Sequence, residues 1–277
     1  SYNAIVGKNS GGAITTGVEN VSVGWNSLDA LTEGGQNVAL GASALGSDTL
    51  GSRSVAVGYQ ALTTQNFTTA TDAHNTAVGY KAGEAVTTGA NNTIIGANTG
   101  IALTSGSNNN LIGGLAGDAL TTGHSNNIMG VSCGTALTDA DYNVAIGQQA
   151  LNSDTLGSQT VAIGSFALSA QNYTTATNSL NTAVGYAAGA AINGSAAGAG
   201  DQNTLIGGLT GDALTIGRRN AAIGVVALSA DTAGSLSVAM GYGALNAQNF
   251  STATDTYNTA IGSLAGAAVT TGVKNTL

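Results

Sequence analysis

The sequence predicts an all-β fold, a parallel β-solenoid or β-roll built from turns of 17 residues. A short phrase, Asn-x-x-aliphatic-Gly, recurs from end to end of the 277 residues. Its glycines are Gly7, Gly24, Gly41, Gly58, Gly79, Gly96, Gly113, Gly130, Gly147, Gly164, Gly185, Gly207, Gly224, Gly241 and Gly262; ten of the fourteen intervals are 17 residues, three are 21 and one is 22. Glycine, at 42 residues with no proline beside it, has about twice its usual share of ~7%. A fixed period of this length is the signature of stacked structural units.

Each position of the phrase justifies an element. Glycine costs about 1 kcal/mol at a helical position, and four residues between glycines and turn formers suit a short strand followed by a corner. The residue before the glycine is always a large aliphatic, among them Val6, Val23, Leu40, Ile95, Ile112 and Met129. This row is expected to be the core slot, one per turn, each member stacked over its counterpart. Three residues after the glycine the side chain is always small, as at Ala44, Ala61, Cys133 and Ala150, which points to close backbone approach. The next residue is always Leu or Gly, and pairs such as Ala44 and Leu45 are expected to build the other side of the coil. The repeat glycine suits a corner with positive φ or close approach. A second glycine, such as Gly17, Gly34 or Gly51, often stands three residues before the next Asn and marks another corner. Asn opens twelve of the fifteen phrases, replaced by Ser54, Thr160 and Ser237. Stacked at a strand spacing of ~4.8 Å, such a row is expected to form a hydrogen-bonded ladder.

Four turns are lengthened. The 21-residue intervals begin at Gly58, Gly164 and Gly241 and carry related insertions at 65–72, 171–178 and 248–255. These segments leave the minimal coil and are expected to carry binding. One large aliphatic per turn contributes roughly 1.5–3 kcal/mol on burial, against about 1 kcal/mol or more for each backbone residue ordered. Several chains are therefore expected to pack side by side.

The phrases at 75–83, Asn-Thr-Ala-Val-Gly-Tyr-Lys-Ala-Gly, and 37–45, Asn-Val-Ala-Leu-Gly-Ala-Ser-Ala-Leu, resemble the head repeats of trimeric autotransporter adhesins. The 17-residue spacing is closer to the Asn-Thr-Ala-Val-Gly arrays of bacteriophage tail-fibre proteins. The resemblance implies a left-handed parallel β-roll, a homotrimer, and an extracellular structural segment of a virion tail fibre. Such a segment would serve as a rigid spacer and touch host-surface glycans. The alternative is the head of a bacterial adhesin on the outer surface; a glycan-degrading tailspike stands third. The first phrase opens at Asn3 and the last stops midway at Leu277, so residues 1–277 are expected to be one repetitive segment of a longer chain.

Composition narrows the chemistry. Six basic residues against 14 acidic give a net charge of −8. The cations are scattered except for the adjacent Arg218 and Arg219, so the basic stripe of a nucleic-acid binder is missing. No apolar run approaches the ~18 residues of a membrane-spanning helix. Cys133 fits the small slot rather than a nucleophile's setting, His74 and His124 lack zinc spacing, and Asp139 with Asp141 reads as a solvated turn. No catalytic residue, cofactor or metal is assigned. The surface-binding candidates are the aromatics: Trp25, Tyr59, Tyr80, Tyr186 and Tyr242, each directly after a repeat glycine, and Phe67, Tyr173 and Phe250 in the insertions.

Overall fold

The computed structural model describes residues 2–194 and 198–277. The chain divides into two compact units, Ser1–Asp139 and Ala140–Leu277. Among the described residues there is no helix; strands and turns make both units.

In the first unit the phrase forms three-residue strands at Ala4–Val6, Val21–Val23, Val38–Leu40, Val55–Val57, Thr76–Val78, Thr93–Ile95, Asn110–Ile112 and Asn127–Met129. They run parallel, each paired with the strand of the next turn. Val6 pairs with Val23, Val23 with Leu40, Ile95 with Ile112 and Ile112 with Met129. The sequence period is therefore an axial translation. The second unit repeats the arrangement at Val144–Ile146, Val161–Ile163, Thr182–Val184, Thr204–Ile206, Ala221–Ile223, Val238–Met240 and Thr259–Ile261. Each unit is a parallel β-solenoid. The lengthened turns at Gly58, Gly164 and Gly241 add short parallel pairs: Gly51–Ser52 with Thr71–Asp72, Gly157–Ser158 with Thr177–Asn178, and Gly234–Ser235 with Thr254–Asp255.

The expected core slot is displaced by one residue. The aliphatic before the glycine stacks in register but faces outward: Leu40 and Ile95 are each 37% exposed. The strand's central residue is the buried one, in Ser22, Ala39, Ala56, Ala77, Ile94, Leu111 and Ile128. Alternation along a strand puts neighbours on opposite faces, and the phrase is too short to tell which face is inside. Ala44 and Leu45 are buried, yet they form turns rather than strand. Backbone bonds still pass between turns there, from Leu28 N to the Ala44 carbonyl and from Leu45 N to that of Ala61, both at 3.1 Å.

The Leu-or-Gly position now has a reason. Its backbone is left-handed in either case, φ +48° at Leu45 and +53° at Gly100. Where it is Leu, as in Leu28, Leu45 and Leu62, the strand centre is small: Ser22, Ala39 and Ala56. Where it is Gly, as in Gly100, Gly117 and Gly134, the centre is Ile94, Leu111 or Ile128; at Gly83, Gly189 and Gly266 the centre is Ala77, Ala183 or Ala260, and Ile94, Leu205 or Leu277 of the next turn reaches the space beside the glycine. Holding Leu in this region costs roughly 1–2 kcal/mol, offset by roughly 1.5–3 kcal/mol from its burial. The repeat glycine is constrained twice over. Gly24 has φ +142°, and a Cβ there would meet the Gly41 carbonyl oxygen at 2.5 Å.

The Asn row is a ladder whose main partners are backbone groups. Asn109 Nδ2 donates to the Gly123 carbonyl at 2.9 Å, while its Oδ1 accepts from the Asn126 N–H at 3.0 Å. The same bond joins Asn20 to Gly34, Asn37 to Gly51 and Asn92 to Gly106, so the second glycine of a turn accepts from the Asn of the turn before.

Candidate functional site

Outward-facing strand residues make an exposed apolar row in each unit. In the first, Val23, Leu40, Val78, Ile95 and Met129 are exposed members of one in-register row. In the second, Ile206, Ile223 and Met240 continue the same pattern and are likewise exposed. The other outward position of the strand changes character along the first unit, from Val21, Val38 and Val55 to Thr76, Thr93, Asn110 and Asn127. Asn110 Nδ2 donates to Asn127 Oδ1 at 2.7 Å across turns. Apart from Ala4 and Ala221, each strand thus presents one aliphatic column beside one that is β-branched or polar.

The aromatics following the repeat glycine lie beside this row. Tyr59 and Tyr80, on adjacent turns, stack with ring centroids 5.5 Å apart and planes 13° apart. Lys81 Nζ lies 6.0 Å from the Tyr80 ring centroid and pairs with Glu84 at 3.0 Å. That hydrogen bond to Glu84 raises the Lys81 pKa. Tyr186 meets Phe166 edge-on at 6.1 Å. Trp25, Tyr59, Tyr80, Tyr186 and Tyr242 are all exposed.

Phe67, Tyr173 and Phe250 are not surface groups. They are buried, and Tyr173 completely so. Each folds inward and closes its insertion onto the coil. Tyr173 Oη donates to the Gly200 carbonyl at 3.1 Å, and burial pushes its phenol pKa up.

The insertions are held by a buried polar clasp that the sequence reading missed. Asp48 Oδ1 accepts from the Gly51 N–H at 3.0 Å and the Phe67 N–H at 3.2 Å, and Oδ2 accepts from Gln65 Nε2 at 2.5 Å. Gln65 Nε2 also donates to Ser54 Oγ at 3.1 Å, and Gln65 Oε1 accepts from Asn75 Nδ2 at 2.9 Å. Asp154, Thr160, Gln171 and Asn181 repeat the set around Tyr173. Asp231, Ser237, Gln248 and Asn258 repeat it around Phe250. Ser54, Thr160 and Ser237 therefore break the Asn row where the Gln reaches in. The signal was legible: Asp48 and Gln65 stand seven residues after a repeat glycine, where Leu31, Val86, Leu103 and Leu120 stand in ordinary turns. Burial raises the pKa of Asp48 and Asp154 against the opposing effect of these hydrogen bonds.

The remaining chemistry-bearing side chains are dispersed. Cys133 is buried in the small slot, and burial pushes its thiol up to about 12. His74 and His124 are exposed, and His124 Nδ1 accepts from the Ser107 N–H at 3.0 Å. Asp139 Oδ1 accepts from Thr122 Oγ1 at 2.5 Å. Among the described residues no three His, Cys, Asp or Glu side chains cluster to hold a metal, and no helix is long and apolar enough to cross a membrane. No family model matches the chain, and neither a curated protein nor a solved structure matches it.

Proposed function

We propose that this chain is a structural segment of an extracellular fibre, a phage tail fibre, in which copies pack side by side as a homotrimer. The role is mechanical and adhesive rather than catalytic: a spacer whose outer surface meets host glycans. The observation that carries the reading is the exposed aliphatic row. Aliphatic side chains about 37–39% exposed at Leu40, Ile95 and Met129 leave roughly 0.5–1 kcal/mol each to be gained on full burial. One turn gains too little to offset an association cost of roughly 4–15 kcal/mol. A row repeated on successive strands reaches that range, which favours parallel copies in contact along their length. The resemblance of the phrase to tail-fibre repeats points the same way.

Sedimentation of the purified chain tests the assembly. A mass near three times 26.8 kDa is expected, and replacement of Ile95, Ile112 and Met129 together by Lys is expected to give monomers. A monomeric wild-type chain would refute the trimer. Antibody labelling viewed by electron microscopy tests the fibre: label on virion tails supports it, and label on bacterial outer surfaces supports the adhesin head.

A further inference from the structure

The second unit contains one cavity that the repeat alone would not produce. Its volume is about 560 Å³, within the usual range for small-ligand sites, and it is lined by Gly198, Ala199, Ile216, Arg218, Ser235, Ala253 and Asp255. The lining comes from four successive turns. Gly198 and Ala199 belong to the lengthened 22-residue turn, and Ala253 and Asp255 to the insertion at 248–255. Ile216, Arg218 and Ser235 belong to the two ordinary turns between them. The lining thus spans two minimal turns together with Gly198 and Ala199 from the turn before them and Ala253 and Asp255 from the turn after.

Its charges are arranged differently from those of the sister insertions. In the first, Asp72 pairs in register with Ser52, and the following residue, Arg53, neutralises it at 2.6 Å. In the third, Asp255 pairs with Ser235, but the following residue is Leu236. Asp255 consequently has no ion pair among the described residues. One turn earlier, Arg218 stands where the first insertion has Gly35 and the second has Asp141; all three backbone N–H groups donate to the equivalent serine hydroxyl. Among the described residues the Arg218 guanidinium donates once, to the Gly198 carbonyl at 3.3 Å. Among those residues it has no ion pair either, which leaves most of its five donors for another acceptor. Arg218 also adjoins Arg219, the only two neighbouring cations in a chain of net charge −8.

We propose that this groove binds an acidic saccharide, with the sugar carboxylate on Arg218 and adjacent hydroxyls on Asp255. A guanidinium takes a carboxylate through two parallel hydrogen bonds. A carboxylate accepts from two neighbouring hydroxyls. Ile216 and Ala253, with Ala199, offer apolar surface to the C–H face of the ring. The inference rests on reading the chain as a surface-displayed adhesive fibre and supplies that reading with a ligand class.

Calorimetric titration of the full chain with a glucuronic-acid disaccharide, and with its counterpart carrying glucose in place of the acid, tests it. The acidic sugar is expected to bind, with the neutral one at least tenfold weaker. Arg218→Gln is expected to weaken binding at least tenfold. Leu236→Arg recreates the pairing that Arg53 makes with Asp72 and is expected to weaken it similarly by capturing Asp255. Absence of binding, equal affinity for both sugars, or unchanged affinity in either variant overturns the proposal, circular dichroism having shown both variants folded. A trimer that binds neither sugar removes the site and leaves the fibre reading standing; a monomer that binds the acid does the reverse.

Discussion

Leu111 occupies the space beside Gly117: a Cβ built on that glycine would lie 3.2 Å from Leu111 Cδ2. In the turn of Ala39 and Leu45 the large and small residues are exchanged between the same two positions. Strand centre and corner therefore share one volume, which either can fill.

This makes the pair Leu111 and Gly117 a test of interchangeability. Leu111→Ala alone is expected to cost about 2–5 kcal/mol through the cavity left. Gly117→Leu alone is expected to cost about 1–3 kcal/mol through overpacking. The double variant restores the Ala39–Leu45 arrangement and is expected to be more stable than the sum of the two by at least ~1 kcal/mol. Denaturant unfolding of the four proteins measures the coupling, and strict additivity would show that the positions are independent.

The Asn ladder should be more sensitive than the outward aliphatic row. Asn109→Ala leaves the Gly123 carbonyl and the Asn126 N–H without their side-chain partner, at roughly 1–3 kcal/mol for each buried group. Ile112→Ala, on the outward side of the same phrase, removes a side chain that is only partly buried. Measured under conditions where the chain is monomeric, a lower melting temperature for Asn109→Ala than for Ile112→Ala is expected.

Acid should stabilise the fold before it harms it. Burial raises the pKa of Asp48, Asp118, Asp154 and Asp212 above 3.8. The folded chain therefore binds these protons more tightly than the unfolded chain. The cost of burying the charge is present at neutral pH, falls away as pH drops through the folded pKa, and stops changing below the unfolded value. Asp118 and Asp212 each also have a buried Oδ1 without a hydrogen-bond partner. Wild type is expected to gain stability, relative to a variant with both changed to Asn, as pH falls from ~7 to ~4. Urea unfolding at both pH values gives the sign.

Cys133 reports on opening of its unit. With its thiol pushed up to about 12 and fully buried, it has almost no thiolate at neutral pH. Reaction with a thiol reagent is expected to follow unfolding rather than reagent concentration. Rapid reaction in native buffer would contradict the packing at that slot.

The period, the strand phrase, the small slot and the Asn row were legible because each is a spacing, and stacking turns a spacing directly into a contact. The inside face was not legible. Ala39 and Leu40 differ in size in the opposite sense to their burial, because Leu45 fills the space that Ala39 leaves open. The aromatics after the repeat glycine lie on the surface, whereas Phe67, Tyr173 and Phe250 turn inward, since an insertion needs its own apolar plug. The clasp escaped notice because its position has no constant residue type: Asp48 and Gln65 stand where Leu31 and Leu103 stand in other turns. Only the distance of Asp48 from Gln65, one turn of 17 residues, marks it.

The clasp spans two consecutive turns, and this governs how such a chain can grow or shrink by recombination. An ordinary turn offers the same neighbours above and below, so a gene can gain or lose one without a new contact having to evolve. A turn carrying an insertion is not free in that way: copied without its predecessor, it would leave Gln65 facing Leu or Val in place of Asp48. The three 21-residue turns must therefore be inherited as linked doublets, and Asp48 is the half of the pair that a search for further inserts of this kind should seek first.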